Sequence, residues 1–191
     1  MLSTVWGSFL LLVLLTIPMI YLPRFLQREI QAVFLLITRQ PDISMALFSL
    51  LFLPGVFLHE SSHFIAARIL GVSSGKFSII PHKMEGGRIL LGYVETASTD
   101  FFRDALIGAA PLISGGIFIA LAGVHWLGLN TIWLSIIQGQ LSSIKLEIQS
   151  MVNQPDFWLW FYLIFTVSST MMPSAADQRA WKPLIAVMLV L

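Results

Sequence analysis

His59-Glu60-Ser61-Ser62-His63 bring together the residue types that metal-assisted hydrolysis needs, in the pattern H-E-x-x-H. Positions four apart lie on one face of an α-helix, so His59 and His63 can point a ring nitrogen at a single metal ion. Glu60 is one step round the same turn, where its carboxylate can take a proton from a water held at that ion. Zinc suits such a site, because two imidazoles and a carboxylate leave its fourth tetrahedral position open. The setting adds information. The motif lies inside an apolar stretch, Ile43 to Leu70, and ionisable groups within a bilayer-length apolar helix are costly enough to be functional-site candidates.

The composition fits that setting. The 191 residues are 57% hydrophobic and 11% charged, against roughly 25% charged residues in a soluble domain. A formal net charge of +1 offers no basic surface to neutralise phosphates, which argues against a nucleic-acid partner. There is no cysteine, so disulfides and thiolate metal sites are excluded and any metal must be held by His, Asp or Glu.

Four segments have the character of spans: Leu2 to Leu22, Ile43 to Leu70, Leu106 to Leu129, and Phe157 through Thr170 onward to Leu191. A span needs about 20 apolar residues. The run Val5 to Leu22 lacks a basic n-region and a small-residue cleavage site, so it reads as a retained helix rather than a signal peptide. Leu184 to Leu191 are still apolar, as expected of a chain trimmed inside a helix. Pro54 is expected to kink the second span just before the motif. Arg24 to Gln40, closed by Pro41, and Asn130 to Gln154 repeat apolar residues at near-helical spacing among polar ones, and each reads as an interfacial helix. Lys76 to Thr96 differs. Phe77-Ser78-Ile79-Ile80 and Arg88 to Val94 are strand-like, with Glu85-Gly86-Gly87 as a turn between them. The expected fold is an all-α polytopic membrane protein with about four transmembrane helices and a small membrane-associated β-hairpin. Residues 1–42 hold the first span and an interfacial helix; 43–191 hold the rest.

Charge sets an orientation. If all four segments span, Lys76, Lys83, Arg88 and Arg103 share a side with the N-terminus, Arg179 and Lys182. The other side carries Arg24, Arg28, Arg39 and Lys145. The positive-inside rule then puts the first group, and the motif, towards the cytoplasm.

Two histidines do not complete a metal site. Most acidic residues lie in loops; Asp177 is the exception. The second and fourth spans run parallel, and His59 is about 16 residues, roughly 24 Å, from its helix start, against about 20 residues, roughly 30 Å, for Asp177. They can meet at one level. The rival reading of Asp177 is a cap beside Pro173 and Ser174. Asp104, Glu95 and Asp100 lie at loop level. His82 reads as an exposed loop residue, and His125 as interfacial. Gly108, Ala109, Ala110, Gly115 and Gly116 read as small residues for close helix packing, and Trp158, Trp160 and Trp181 as an aromatic belt or packing residues.

With H59-E60-S61-S62-H63 in one membrane helix and Pro173 to Asp177 in the last, the chain resembles the site-2 protease family of intramembrane zinc metalloproteases. Gly108-Ala109-Ala110-Pro111 is similar to the small-residue-plus-proline motif of the family's middle helix. The resemblance covers Ile43 to Trp181. It implies a three-helix catalytic core, one Zn²⁺ per chain bound by His59, His63 and Asp177, and Glu60 as general base. It also implies a hairpin that helps present the substrate, a transmembrane protein held in the lipid bilayer. The implied location is a bacterial cell membrane, crossed several times, with the site towards the cytoplasm. Three positions depart from the pattern: Gln178 follows the aspartate where glycine is usual, and asparagines are replaced in the Ser168-Ser169-Thr170 neighbourhood and at Ser114-Gly115. Two rival classes stand beside the peptidase. One is a catalytically inactive relative that acts as a scaffold or binds a partner helix. The other is an ion path through His59, Glu60 and His63, which would call for inverted repeats that this sequence lacks. Nothing in the sequence sets an oligomeric state.

Overall fold

The computed structural model describes residues 2–83, 89–174, 176–179 and 181. Six α-helices and a short antiparallel β-hairpin account for most of them. The expected turn at Glu85-Gly86-Gly87, the charges of Arg88 and Lys182, and the segment 182–191 lie outside the described residues. The chain divides into two compact units, Met1–Leu50 and Leu51–Leu191.

In the first unit, α1 runs from Leu2 to Thr38 without a break. The separate helix expected from Arg24 is therefore a continuation of the first. Pro18 and Pro23 lie inside α1; proline removes one backbone donor but does not forbid helix on both sides of it. α1 ends where Arg39 takes a left-handed conformation, φ 52°, and its N–H reaches back to the Leu35 carbonyl at 2.8 Å. A left-handed residue after the last turn is a common helix stop. Pro41 then opens α2, Pro41–Ile69, at a position where a missing N–H costs nothing.

In the second unit the later part of α2 packs with α3, Phe101–His125, and α6, Phe157–Thr170. The pairing of residues gives the directions. Ser62 meets Ser114 and His63 meets Ile107, so α2 and α3 are antiparallel. The Tyr162 hydroxyl donates to the Leu51 carbonyl at 2.8 Å, and Gly55 meets Thr166 and Thr170, so α2 and α6 run parallel. Phe52 and Thr166 are fully buried in this contact, with the Phe52 and Phe165 rings 5.9 Å apart. A side chain at Gly55 would collide with the Thr166 backbone, so glycine is what lets these two helices approach.

α2 and α3 are long and apolar enough to cross a membrane. α6 is shorter than the expected fourth span. Its 14 residues cover roughly 21 Å, and it stops at Thr170 because Pro173 follows and disfavours helix in the residue before it. Asn130 to Gln154 forms two helices rather than one, α4 Leu129–Ile137 and α5 Leu141–Val152. Gly139 at φ 70° makes the break.

The hairpin follows α2. β1, Ser74–Ser78, pairs with β4, Tyr93–Thr96, and β2, His82–Lys83, pairs with β3, Ile89–Leu90, both antiparallel. Register slips between Ser74 and Phe77, and again between the two pairs, since Ser78 faces Tyr93 while His82 faces Leu90. Each slip is the two-against-one count of a bulge, which bends the ribbon. The strands are thus shorter and more broken than the expected Phe77–Ile80 and Arg88–Val94 pair.

Candidate metal centre

α2 carries His59, Glu60 and His63 into a cavity of about 390 Å³, whose far wall is formed by β3, β4 and the residues after them. Glu60 and His63 are each 8% exposed. Helical spacing brings the two imidazoles edge to face, with ring centroids 4.8 Å apart and their Nε2 atoms at 3.1 Å.

The third group comes from the segment after α6. Asp177 is not on a helix, as expected from the span count, but in a turn over 176–179. Its carboxylate still arrives at the histidines: Oδ1 is 3.2 Å from His63 Nε2 and Oδ2 is 3.9 Å from His59 Nε2. The turn holds itself. The Ser174 N–H donates to Asp177 Oδ2 at 2.6 Å, and the Asp177 N–H donates to Ser174 Oγ at 3.2 Å. Asp177 thus faces the histidines while bonding Ser174 within the turn, and the described residues 176–179 form no helix for it to cap. Gln178 Nε2 donates to the Pro173 carbonyl at 3.1 Å, and Trp181 Nε1 to the Ala105 carbonyl on α3 at 3.3 Å. Trp181 therefore fastens this segment to α3.

Close packing fixes the depth. A Cβ at Gly108 would overlap the Asp177 carbonyl oxygen, and one at Gly115 would overlap the Met171 side chain. Gly116, turned away from both, has open space beside it. On the other wall, a Cβ at Gly92 would come within 2.9 Å of Glu60 Cγ and 3.0 Å of the Ser78 carbonyl. Gly92 thereby lets the hairpin lie against the motif helix.

The hydrogen bonds assign the protons. His63 Nδ1 lies 2.9 Å from the Ile107 carbonyl. A carbonyl can only accept, so Nδ1 carries the proton and the neutral ring presents a lone pair at Nε2. His59 Nδ1 is buried with no hydrogen bond of good geometry among the described residues, although the Thr170 backbone faces its ring. Ligand atoms from His59, His63 and Asp177 thus converge, all within 4.8 Å of one another. Facing acceptors repel unless a cation or a proton sits between them.

Bonds of about 2.0–2.2 Å to a small tetrahedral ion would put neighbouring ligand atoms about 3.3–3.6 Å apart. Here the two Nε2 atoms are 3.1 Å apart, one Asp177 oxygen is 3.2 Å from His63 and the other 3.9 Å from His59, and one ligand atom from each residue falls within 4.8 Å of the others, close to that spacing. Three protein ligands leave one position towards the cavity. The group can hold a metal ion. Among the described residues no other cluster of His, Asp and Glu does.

The sequence reading did not find the parts that support these ligands. Ser62 Oγ, inside the motif, lies 2.5 Å from Ser114 Oγ and donates to its own helix at the Leu58 carbonyl, joining α2 to α3 one turn from His59. Ser174, the Ile107 carbonyl and Gly92 are others. Asp104 and Arg179, read only as loop charges, line the same cavity. His82 is exposed in β2 and His125 is exposed at the end of α3, as their neighbours in sequence suggested. No family model, no curated protein and no solved structure matches the chain.

Proposed function

We propose that this chain is an intramembrane zinc metalloendopeptidase, similar to the site-2 proteases, that hydrolyses a peptide bond in or near a transmembrane segment of another protein. One observation carries the reading: His59 and His63 on α2, a helix of membrane-crossing length, and Asp177 in the turn after α6 converge on a point in a cavity that Glu60 also lines. A bound Zn²⁺ would polarise the scissile carbonyl and acidify the attacking water. Glu60, aimed into the cavity and tied to no other side chain among the described residues, would take the proton from that water and pass it to the leaving amine. His63, oriented by the Ile107 carbonyl, and Asp177, oriented by Ser174, would hold the ion at fixed depth. One Asp and one Glu carboxylate beside Zn²⁺ leave the site formally neutral, which lowers the cost of burying it. The strands β3 and β4 would supply backbone partners to a substrate segment unwound in lipid. The location that goes with this reading is a bacterial cell membrane, with the site towards the cytoplasmic face.

The second reading, a metal-holding scaffold that does not cleave, is favoured by Ser114. Where the family carries an asparagine, Ser114 Oγ is taken up by Ser62 and by the Pro111 carbonyl at 3.1 Å, and so is not free for a substrate. Purified protein in lipid with a membrane-embedded substrate separates the two. Wild type should cleave, and chelation should stop it. Glu60→Gln should bind zinc at wild-type stoichiometry without cleaving. Cleavage that survives both treatments would overturn the peptidase; zinc binding with no cleavage by wild type of any transmembrane substrate would favour the scaffold.

A further inference from the structure

Between α3 and α6 the chain turns its polarity inside out. The one buried residue of α4 is a serine, Ser135, 5% exposed, while Trp133 is 62%, Leu134 52%, Ile136 48% and Ile137 64% exposed. Ser135 Oγ donates to Glu147 Oε1 of α5 at 2.5 Å, and Ser143 Oγ donates to Ser135 Oγ at 3.1 Å. The other Glu147 oxygen is buried as well. On α5, Leu146 is 68% exposed. Over 129–152 the charged residues are Lys145 and Glu147, and Glu147 is turned inward. A hairpin built for water would do the reverse, with apolar side chains between its helices and charges outside. Hydrocarbon demands what is seen: polar groups satisfied within the element and apolar side chains outward.

Leu129, Trp133, Ile136 and Ile137 follow the i, i+4, i+7, i+8 spacing of one helix face. Its first residue, Leu129, packs against Gly123 near the end of α3, where Leu121 and Val124 are also exposed. The membrane side it belongs to follows from α3: Gly108 touches Asp177, and His125 lies about 17 residues, roughly 26 Å, further along the helix, close to the roughly 30 Å of a hydrocarbon core. At 9 residues, α4 spans roughly 14 Å and cannot cross. Gln138, Gly139 and Gln140 at its tip belong among headgroups, so the hairpin lies along the interface with its apolar face down. We propose that α4 and α5 form a lipid-binding hairpin in the leaflet remote from the metal group, with acyl chains as the partner of the Leu129-Trp133-Ile136-Ile137 face. This rests on the reading that α3 spans a bilayer.

The absence of native cysteine makes the test direct. Single cysteines at Trp133, Ile137, Ile117 and Lys145 are spin-labelled in the full chain, reconstituted in phosphatidylcholine vesicles. Collision with oxygen, which concentrates in lipid, is compared with collision with a water-soluble nickel chelate. At positions 133 and 137 oxygen should dominate and nickel access should be several-fold below that at 145. Nickel access at 133 and 137 equal to that at 145, with Ile117 protected, would overturn the hairpin proposal and leave the membrane reading standing. Nickel access at Ile117 too would remove both. Protection of 133 and 137 from both reagents, with immobilised spectra, would replace lipid by a protein partner. Should a label disturb folding, the unlabelled protein answers the same question: brominated acyl chains should quench a fluorescence component that Trp133→Phe removes, and no such component would overturn the proposal.

Discussion

The two ends of the α2–α3–α6 core both bury carboxylates among hydroxyls and helices, and they put them to opposite use. At the α4–α5 end, Glu147 Oε1, Ser135 and Ser143 bond to one another. At the cavity end, the Nε2 atoms of His59 and His63 and the carboxylate of Asp177 face a common point, and His63 and Asp177 are braced from behind by the Ile107 carbonyl and by Ser174. Burial of polar groups is therefore no sign of a binding site. The sign is that the supporting bonds lie behind the ligand atoms and leave their lone pairs in front.

The sharpest way to break this contrast is to remove one acceptor at each end. Asp177→Asn or His63→Ala should abolish stoichiometric zinc binding, measured by metal analysis after dialysis, because only two of the three converging groups remain to hold the ion. Glu147→Gln should leave the zinc content unchanged. Equal zinc loss at both ends would mean that the far polar cluster is coupled to the site, and the division between the ends would fall.

Next in size is the packing that sets ligand depth. Gly108→Ala puts a methyl group into the Asp177 backbone oxygen. A backbone atom cannot swing aside, so overpacking should cost about 3 kcal/mol and weaken zinc binding together with stability. Gly116→Ala, on the same helix with open space beside it, should be neutral or stabilising by up to about 1 kcal/mol, since alanine is the better helix former. Denaturant unfolding in detergent for both variants tests the pair. Similar costs would show that position in α3, not contact with Asp177, decides.

These residues also show how far the sequence could be read. The convergence of His59, His63 and Asp177 was legible because each rests on local regularity: His59 and His63 on helical spacing, Asp177 on being the one acid deep in a terminal apolar segment. The depth estimate for Asp177 assumed a helix that in fact stops at Thr170; the aspartate arrives through a turn braced by Ser174 and Trp181, contacts that no periodicity encodes. Gly108 was read as a small packing residue, but its partner is a backbone atom 69 positions further on. Arg24 was expected to open a separate helix, yet α1 continues through Pro23, because one lost hydrogen bond is outweighed by the rest of a long helix. For α4 and α5 the interfacial reading of Asn130 to Gln154 already implied an apolar face turned outward; what it did not contain was the break at Gly139 and the Ser135, Ser143 and Glu147 bonds between the two helices, which no periodicity encodes.

A smaller effect tests the far end alone. Ser135→Ala removes the donor to Glu147 Oε1 and leaves a buried carboxyl with less than its bonding capacity, so stability should fall by about 1–2 kcal/mol with zinc affinity unchanged. An unchanged unfolding midpoint would mean that Glu147 reaches water or another donor when Ser135 is gone, and that the cluster does not hold α4 to α5.

The smallest effect separates the ends by pH. α3 begins at the cavity end with a side-chain cap: Asp100 Oδ1 accepts from the N–H groups of Arg103 at 3.0 Å and Phe102 at 3.1 Å. At the other end α4, α5 and α6 begin without one. The Arg103 N–H, followed by the Arg103 guanidinium 3.3 Å from Oδ2 and the Phe102 N–H, holds the Asp100 carboxyl below the usual aspartate value of 3.8. A carboxyl whose folded pKa is lowered binds its proton more readily when unfolded. Its contribution is therefore complete above the ordinary aspartate range and disappears as pH falls through the lowered folded value. The amide introduced by Asp100→Asn keeps an acceptor for the cap but does not titrate. In metal-free protein, Asp100→Asn should lower the thermal midpoint slightly at neutral pH, and the gap from wild type should close as pH falls below about 4. Asp156→Asn, at the start of α6, makes the comparison: its carboxylate accepts from Trp160 Nε1 at 2.9 Å rather than from a helix N–H, so the substitution removes no cap hydrogen bond. A gap that closes for Asp156→Asn and stays open for Asp100→Asn would reverse the assignment of the cap to the cavity end.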